Sequence, residues 1–274
     1  MPDRYAVIGN PVAHSKSPVI HAEFARQTGE DIEYVHLFAP LDGFVATVEA
    51  FRAAGGKGLN VTVPFKLEAF RYATAHTPRA LDAQAVNILK FESDRVVGDN
   101  SDGVGLVRDI EQNLGFALRG KHVLLMGAGG AVQGVLGPLL DAEPAALAIA
   151  NRTADKAIAL AQRYRARAFS TPLTATGYAE LAGQSFELVI NGTSSSLGDA
   201  VPDLPDGVFG PGSLAYDMMY GKGLTPFLRR AQEQGASRVA DGIGMLVEQA
   251  AESFLVWRGV RPRTMPVIQL LKGL

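Results

Sequence analysis

Three groups of residues in this 274-residue chain carry side chains whose types and spacing could do chemistry. The first is Lys66, which closes the run Leu59-Asn60-Val61-Thr62-Val63-Pro64-Phe65-Lys66. A lysine ammonium can protonate the alkoxide that forms when hydride adds to a ketone. The apolar stretch before it reads as a strand ending at the proline, so Lys66 lies at a strand exit, where the sites of α/β sheets gather. The polar turn Asp99-Asn100-Ser101-Asp102-Gly103 offers a carboxylate. A carboxylate beside a lysine favours the charged form and fixes its direction. Sequence alone does not pair Lys66 with Asp102. Asp102 also suits the cap of the helix after it, and most lysines and aspartates simply face water.

The second group is Ser15-Lys16-Ser17-Pro18. Proline suits a first helical position and Ser17 the N-cap before it. Capping accounts for Ser17, but Ser15 brings a second hydroxyl to the same positive helix end, and the two could form a small carboxylate pocket.

The third group is Gly127-Ala128-Gly129-Gly130, between the apolar run His122–Met126 and a helix with Val132, Val135, Leu136, Leu139 and Leu140 on one stripe. A strand, a glycine turn and a helix N-terminus together let backbone amides approach a pyrophosphate. The match to G-x-G-x-x-G is incomplete, because Val132 stands in the third glycine's place. A plain turn is the alternative. The next strand, Ala145–Ala150, ends at Asn151-Arg152-Thr153, where an NAD site would carry Asp or Glu for the ribose hydroxyls. Here Arg152 stands there, with Lys156 one turn into the following helix. Two cations at that place suit a 2′-phosphate, and so NADP. Read blandly, both are solvated surface charges, and Asp155 beside them would repel a phosphate if it faced inward.

These groups need a framework. Tyr5–Ile8, Ile32–Phe38 and Gly58–Val63 read as strands; Pro18–Thr28, Leu41–Ala54 and Phe65–Ala75 read as helices. Val86–Phe91 and Arg95–Val97 read as a hairpin turning at Glu92-Ser93-Asp94. Gly103–Leu114 reads as a helix, residues 122–150 as one βαβ unit of ~30 residues, and Glu187–Ile190 and Leu214–Met218 as further strands. A last long helix, Met245–Arg258, puts Leu246, Val247, Ala250, Phe254 and Trp257 on one face, Trp257 packing it down. The alternation makes the fold α/β with mostly parallel strands, and the length suits two domains meeting near Gly103.

Composition narrows the field. A formal net charge of −2 lacks the basic footprint that nucleic acid demands. With no cysteine, disulfides, thiolate nucleophiles and cysteine metal sites are excluded. His21, His36, His76 and His122 show no ligand spacing, so no metal is expected; His14 reads as a positioning or surface residue. The start Met1-Pro2-Asp3-Arg4 leads into only a short apolar stretch, and no run approaches the ~18 apolar residues of a membrane helix. The expected setting is cytoplasmic and the expected partner a small molecule.

Taken together, several motifs resemble those of shikimate dehydrogenases, in the family's order. They are Gly9-Asn10-Pro11-Val12-Ala13-His14-Ser15-Lys16-Ser17-Pro18; Asn60-Val61-Thr62-Val63-Pro64-Phe65-Lys66; Ala85-Val86-Asn87; Asp99 to Gly103; Gly127 to Ala131; Asn151-Arg152-Thr153; Ile190-Asn191-Gly192-Thr193-Ser194-Ser195; Tyr216-Asp217-Met218-Met219-Tyr220; and Asp241-Gly242 with Gly244-Met245-Leu246-Val247-Glu248-Gln249. The likeness spans nearly the whole chain. It implies reduction of 3-dehydroshikimate to shikimate with NADPH, on the way to chorismate and the aromatic amino acids. It implies a substrate-binding catalytic domain of residues 1–103 with 242–274, and a Rossmann-type, doubly wound NADP-binding domain of residues 104–241. Relatives of this kind occur as monomers and homodimers.

Roles carry over residue by residue. Lys66 and Asp102 match the catalytic pair. Ser15, Ser17 and Tyr220 match groups that hold the substrate carboxylate, with Thr62 nearby, and Asn60, Asn87, Asp102 and Gln249 match those that bind ring hydroxyls. Gly127, Ala128, Gly129, Gly130 and Ala131 match the pyrophosphate loop. Asn151, Arg152 and Thr153 match the adenosine-phosphate grip, Lys156 falling where relatives often carry arginine, and Met218 and Gly242 match positions near the nicotinamide. The chain departs from the pattern in Gln84 and Ile88, where Gly and Thr are usual, and in Gly192 and Ser196, where Ala and Gly are usual. Two rival readings are a quinate/shikimate dehydrogenase using NAD and a cofactor-binding module that has lost catalysis. The first would want an acidic ribose partner, and the second should have lost Lys66 or Asp102.

Overall fold

A computed structural model describes residues 1–167, 169–193, 202–221 and 223–273. The chain divides into two compact units, Met1–Gly105 with Leu246–Leu274, and Leu106–Met245.

The first unit is built on a six-stranded sheet of β1 (Asp3–Gly9), β2 (Ile32–Phe38), β3 (Gly56–Val61), β4 (Ala75–His76), β5 (Ile88–Phe91) and β6 (Val96–Asp99), in the order β2-β1-β3-β5-β6-β4. Strands β1, β2 and β3 pair in parallel, as do β4 and β6, whereas β5 runs antiparallel to both its neighbours. Residues Tyr5 to Ile8 of β1 are all buried, because a central strand between two covered faces offers water neither side. Ala6 and Ile8 join Phe44, Val48 and Phe51 of α2 (Phe44–Ala53) in one core. Tyr5 stacks on Trp257 of α9 (Ile243–Arg258) at 4.6 Å, and Phe24 of α1 (Ser17–Thr28) meets Phe254 edge-on. Trp257 donates to Leu89 O at 3.2 Å, above Gly58, where a Cβ would come within 2.5 Å of the indole nitrogen. The C-terminal helices α9 and α10 (Met265–Lys272) therefore complete the unit that the N-terminal strands begin.

Charge ties the same pieces together. Arg79, in α4 (Pro78–Ala83), forks onto Asp99 at 2.6 and 2.5 Å and reaches Glu252 of α9 at 2.9 Å. Arg261 bridges Glu252 and Glu248, and Thr264 donates to Glu248.

The second unit is the parallel sheet β12-β11-β10-β7-β8-β9, made of β7 (His122–Met126), β8 (Ala146–Ala150), β9 (Leu173–Thr176), β10 (Phe186–Asn191), β11 (Phe209–Asp217) and β12 (Arg238–Ala240). Every pairing is parallel. The chain winds outward from β7 to β9, then returns to β10 on the other side of β7. That reversal is the doubly wound order, and its switch point lies between β7 and β10. The stripe of Val132, Val135, Leu136, Leu139 and Leu140 on α6 (Gly130–Asp141) is buried, and α7 (Ala154–Arg165) and α8 (Pro226–Glu233) complete the layers.

Several boundaries differ from the sequence reading. Strand β3 stops at Val61, since Thr62–Phe65 form a turn before α3 (Lys66–Tyr72). Helix α3 ends early because Ala75 and His76 are drawn into pairing with β6. The helix read over Gly103–Leu114 is α5 (Asp102–Arg108) followed by one π-helical turn, Asp109–Asn113, whose Asp109 accepts from Asn113 Nδ2 and Tyr216 OH. No helix among the described residues is long and apolar enough to cross a membrane.

Arg79→Ala should cost about 3–5 kcal/mol in urea unfolding at neutral pH, because it strands a buried carboxylate. Burial alone would push the Asp99 carboxyl up; the hydrogen bonds and charge of Arg79 hold it below its ordinary value. A carboxyl lowered in the folded state stabilises above its unfolded pKa of about 3.9 and loses that contribution as pH falls through the folded value. The stability gap between parent and variant should therefore narrow on acidification through the carboxylate range. A gap independent of pH would mean that Arg79 acts by packing alone.

Candidate active site

In the first unit the ends of β3, β5 and β6 converge. Val61 N–H donates to Asn87 O, Val86 N–H to Lys66 O, and Asn87 N–H to Asp99 O. This backbone lattice sets Lys66 opposite the turn that carries Asp102, and Lys66 Nζ donates to Asp102 Oδ2 at 2.6 Å. Asp102 is 1% exposed, so its charge needs partners. Asn87 Nδ2 supplies another, donating to Asp102 Oδ1 at 2.8 Å. Asp102 was expected to cap α5 and does not. Its carboxylate oxygens go to Lys66 and Asn87 instead, and Asn100 Oδ1 takes the Asp102 N–H at 3.0 Å.

Asn87 is the hub. Its Oδ1 accepts from Ser101 N–H at 2.9 Å, and its Nδ2 hydrogens face Asp102 Oδ1, Gln249 Oε1 at 3.1 Å and Ser101 Oγ at 3.2 Å. An amide oxygen facing a carboxylate would be repelled, so this orientation is fixed. Gln249 must then turn its oxygen to Asn87, leaving its own Nε2 hydrogens as donors. Asn60 Nδ2 donates to Ser253 Oγ at 2.7 Å and Asn87 O at 3.3 Å, and Asn60 Oδ1 accepts from Tyr34 OH at 2.7 Å.

Ser17 is not the cap expected of it. Helix α1 begins at Ser17 itself, Lys16 holds the cap position without a side-chain bond, and the Ser17 N–H is met by Ser15 Oγ at 3.3 Å. The two hydroxyls bond at 3.1 Å. His36 Nε2 lies 2.9 Å from Ser15 O and steadies the loop.

In the second unit Gly127 ends β7 with φ +109°, a conformation that side chains resist, and its N–H bonds Ala150 O. Helix α6 has no acidic residue in its first turn, and a Cβ placed on Gly129 or Gly130 meets nothing within 4 Å. Open space over uncompensated N–H groups fits a pyrophosphate. Val132, in the third glycine's place, is buried, and a Cβ on Gly192 would stand 2.6 Å from its Cγ2. Gly192 therefore supplies the room that a third glycine would otherwise make. Arg152 is exposed after β8 and lines a cavity of about 500 Å³ with Tyr178, Gly177 and Leu204; Glu180 and Asp203 lie on the same wall, and Lys156 does not. Asn151 Nδ2 bonds Thr153 O at 2.9 Å. Beyond β11, a Cβ on Gly242 would come within 2.3 Å of Met218 O, so the backbones approach as only glycine allows. Tyr220 is half-buried, and burial raises its phenol.

Residues 7–89 match the family model described as shikimate dehydrogenase substrate binding domain, and residues 109–197 the one described as shikimate/quinate 5-dehydrogenase. The NADP(+) shikimate dehydrogenase of Nitrosospira multiformis is 62% identical over 273 residues, covering 100% of this chain and 98% of that one. The chain belongs to the shikimate dehydrogenase family. Among solved structures of similar fold, an Ael1 enzyme from Pseudomonas putida is 54% identical, with TM-score 0.93 and 98% of each chain covered. The Thermus thermophilus shikimate 5-dehydrogenase in complex with NADP(H) and shikimate is 30% identical, with TM-score 0.86 and 99% of each chain covered.

Of the residues that family likeness singled out, Lys66, Asp102, Asn87, Gln249 and Asn60 form one bonded cluster in the first unit, and Ser15 pairs with Ser17 there. Thr62 is half-buried just past β3. Tyr220, Met218, Gly242 and the glycine loop lie in the second unit. Ser194, Ser195 and Ser196 lie outside the described residues. Gln84, where glycine is usual, sits at φ +50°, the left-handed turn that glycine would take without strain. Sequence reasoning gave no role to Tyr34, Ser101, Ser253 or Tyr178, although Ser101 stands in the polar turn Asp99–Gly103 and Ser253 lies one helical turn beyond Gln249.

Asn87→Ala should cost about 1–3 kcal/mol, since the Ser101 N–H and Asp102 Oδ1 lose a buried partner. Urea unfolding checks it, and a change under about 0.5 kcal/mol would mean that Asn87 is not the hub.

Proposed function

We propose that this chain reduces 3-dehydroshikimate to shikimate with NADPH, reversibly, as an enzyme of the cytoplasmic route to chorismate and aromatic amino acids. The observation that carries the reading is the 2.6 Å Lys66–Asp102 pair in a buried amide cluster. It occurs in a chain that shares 62% of its residues with an NADP(+) shikimate dehydrogenase. Bound NADPH would supply the hydride.

The protein's own residues do the rest. Asp102 Oδ2 aims the Lys66 ammonium, which gives a proton to the substrate oxygen as negative charge builds there. Lys66 keeps 22% of its side chain exposed and can recover a proton from water. Gln249 offers donors, and Asp102 and Asn60 offer acceptors, to ring hydroxyls, with Asn87 and Thr62 alongside. Ser15, Ser17 and Tyr220 hold the carboxylate. Gly127, Ala128, Gly129, Gly130 and Ala131 take the pyrophosphate; Asn151, Arg152, Thr153 and Lys156 take the adenosine 2′-phosphate; Met218 and Gly242 flank the nicotinamide. In this reading residues 1–103 with 242–274 form the substrate domain, and 104–241 the NADP domain.

The NAD-linked quinate reading lacks its acidic ribose partner, because Asn151-Arg152-Thr153 stands at the end of β8. The silent-module reading has to explain an intact Lys66–Asp102 pair. The deciding experiment is shikimate oxidation followed by absorbance with NADP+ and with NAD+, without added metal. Turnover is expected with NADP+ and much less with NAD+. Folded protein with no turnover on either would favour the module.

Lys66→Met keeps the apolar stem and removes the acid. It should lower kcat by about 10²- to 10⁴-fold and leave NADP+ binding intact. Asp102→Asn should cost a similar order, and the double variant far less than the product, since the two act as a unit. Near-parent kcat in Lys66→Met would reject the mechanism.

A further inference from the structure

Tyr34 joins the two halves of the substrate site, and no motif points to it. It lies on the edge strand β2, which among the described residues pairs only with β1. Its hydroxyl donates to Asn60 Oδ1 at 2.7 Å and also meets the Ser17 side chain, which is itself bonded to Ser15. The ring is clamped: His21 stacks on it at 4.1 Å with 7° between planes, and Trp257 lies 6.3 Å away.

The clamp is electrically neutral. Burial holds the His21 imidazole down to about 3, so it carries no charge near neutral pH. Burial also lifts the Tyr34 phenol well above its ordinary range, against the opposing bond from Ser17, so the hydroxyl keeps its proton. A neutral phenol that cannot swing has one proton to give, and it goes to Asn60.

The amide of Asn60 is then fully determined. Its two Nδ2 hydrogens go to Ser253 Oγ and Asn87 O, and one side of Oδ1 goes to Tyr34. His21 lies near this amide, but neither of its ring nitrogens hydrogen-bonds to it, so the second Oδ1 lone pair is what Asn60 has left, and toward substrate it is an acceptor only. The Ser17 side chain is bonded to Ser15 and lies near the Tyr34 hydroxyl.

We propose that Tyr34 is a positioning and specificity-determining residue. It locks Asn60 as an acceptor for a substrate hydroxyl donor. The proposal rests on the shikimate reading of this site given above. The two are separable, because the parent enzyme's turnover tests that reading and the variant tests this one.

Tyr34→Phe keeps the ring and its stacking and deletes only the hydroxyl. The expected result is a KM for shikimate raised roughly 3- to 10-fold, the scale of one lost hydrogen bond, with kcat within about two-fold. KM for NADP+ and the thermal midpoint should stay near the parent values. Placed on Asn60→Ala, Tyr34→Phe should add less than about two-fold, because its effect runs through Asn60. Unchanged KM for shikimate, or losses that multiply in the double variant, would overturn the proposal. So would a lowered thermal midpoint with kcat and both KM values disturbed together, which marks a merely structural role. If Tyr34→Phe does not fold, Ser253→Ala releases the same amide from its other side and should raise KM alone; no such rise overturns the proposal equally. No turnover of shikimate by the parent overturns the site reading and this inference with it.

Discussion

A carboxylate that is 1% exposed governs the first unit. Burying an ionised group costs more than most single interactions return, so such a charge persists only where partners are already in place. Asp102 has Lys66 on one oxygen and Asn87 on the other. Each partner is fixed in turn by what surrounds it. Asn87 cannot flip, because its oxygen would face the carboxylate, and so Gln249 cannot flip either. Asn100 Oδ1 accepts from the N–H of Asp102 itself. One desolvated charge thereby orients the amides of Asn87, just before β5, and Gln249 on α9, and it leaves a cationic donor beside amide and carboxylate groups of set polarity. Preorganisation of this kind lets a proton donor act without rearrangement during the reaction.

Behind that turn runs a second string of charges, from Asp99 through Arg79, Glu252 and Arg261 to Glu248. The string alternates in sign and links β6 to the last two helices. Removing one member strands its neighbours, so the string serves more to specify one arrangement than to add stability. It explains how a segment separated from β6 by the whole second unit belongs to the first. Arg258 does the same at the other end of α9, where it pairs with Asp3 and Glu30.

The second unit follows a different constraint. A wholly parallel sheet with a switch point needs backbone to approach backbone at the strand ends, and side-chain volume there must be bargained between neighbours. Val132 fills the space where a third glycine is usual, and Gly192, on the adjacent strand's exit, leaves the space in which alanine is usual. The two departures that looked unrelated along the chain are two sides of one contact. Gln84 occupies a left-handed turn at some conformational cost, while the side chain of Asn87, three residues on, is held by five hydrogen-bonding contacts.

The sequence by itself determined what local chemistry can dictate. The apolar strand segments Tyr5–Ile8 and Ile32–Phe38, the stripe from Val132 to Leu140, and the glycine turn before it made strands, helix and loop legible, because each depends on neighbours within a few residues. Family likeness pointed to Lys66, Asp102, Asn87 and Gln249, but no spacing could pair them. Tertiary structure decided the rest. It set which oxygen of Asp102 meets Lys66, and it gave the first N–H of α5 to Asn100 and that of α1 to Ser15. It drew Ala75 and His76 out of α3 into an edge strand, and it brought Tyr34 and Ser253 against Asn60. These outcomes rest on hydrogen bonds between groups far apart in the chain and on the need to satisfy buried polar atoms. A hydroxyl's choice between its own helix and a distant amide depends on what else is buried beside it, and that is fixed only when the whole unit closes.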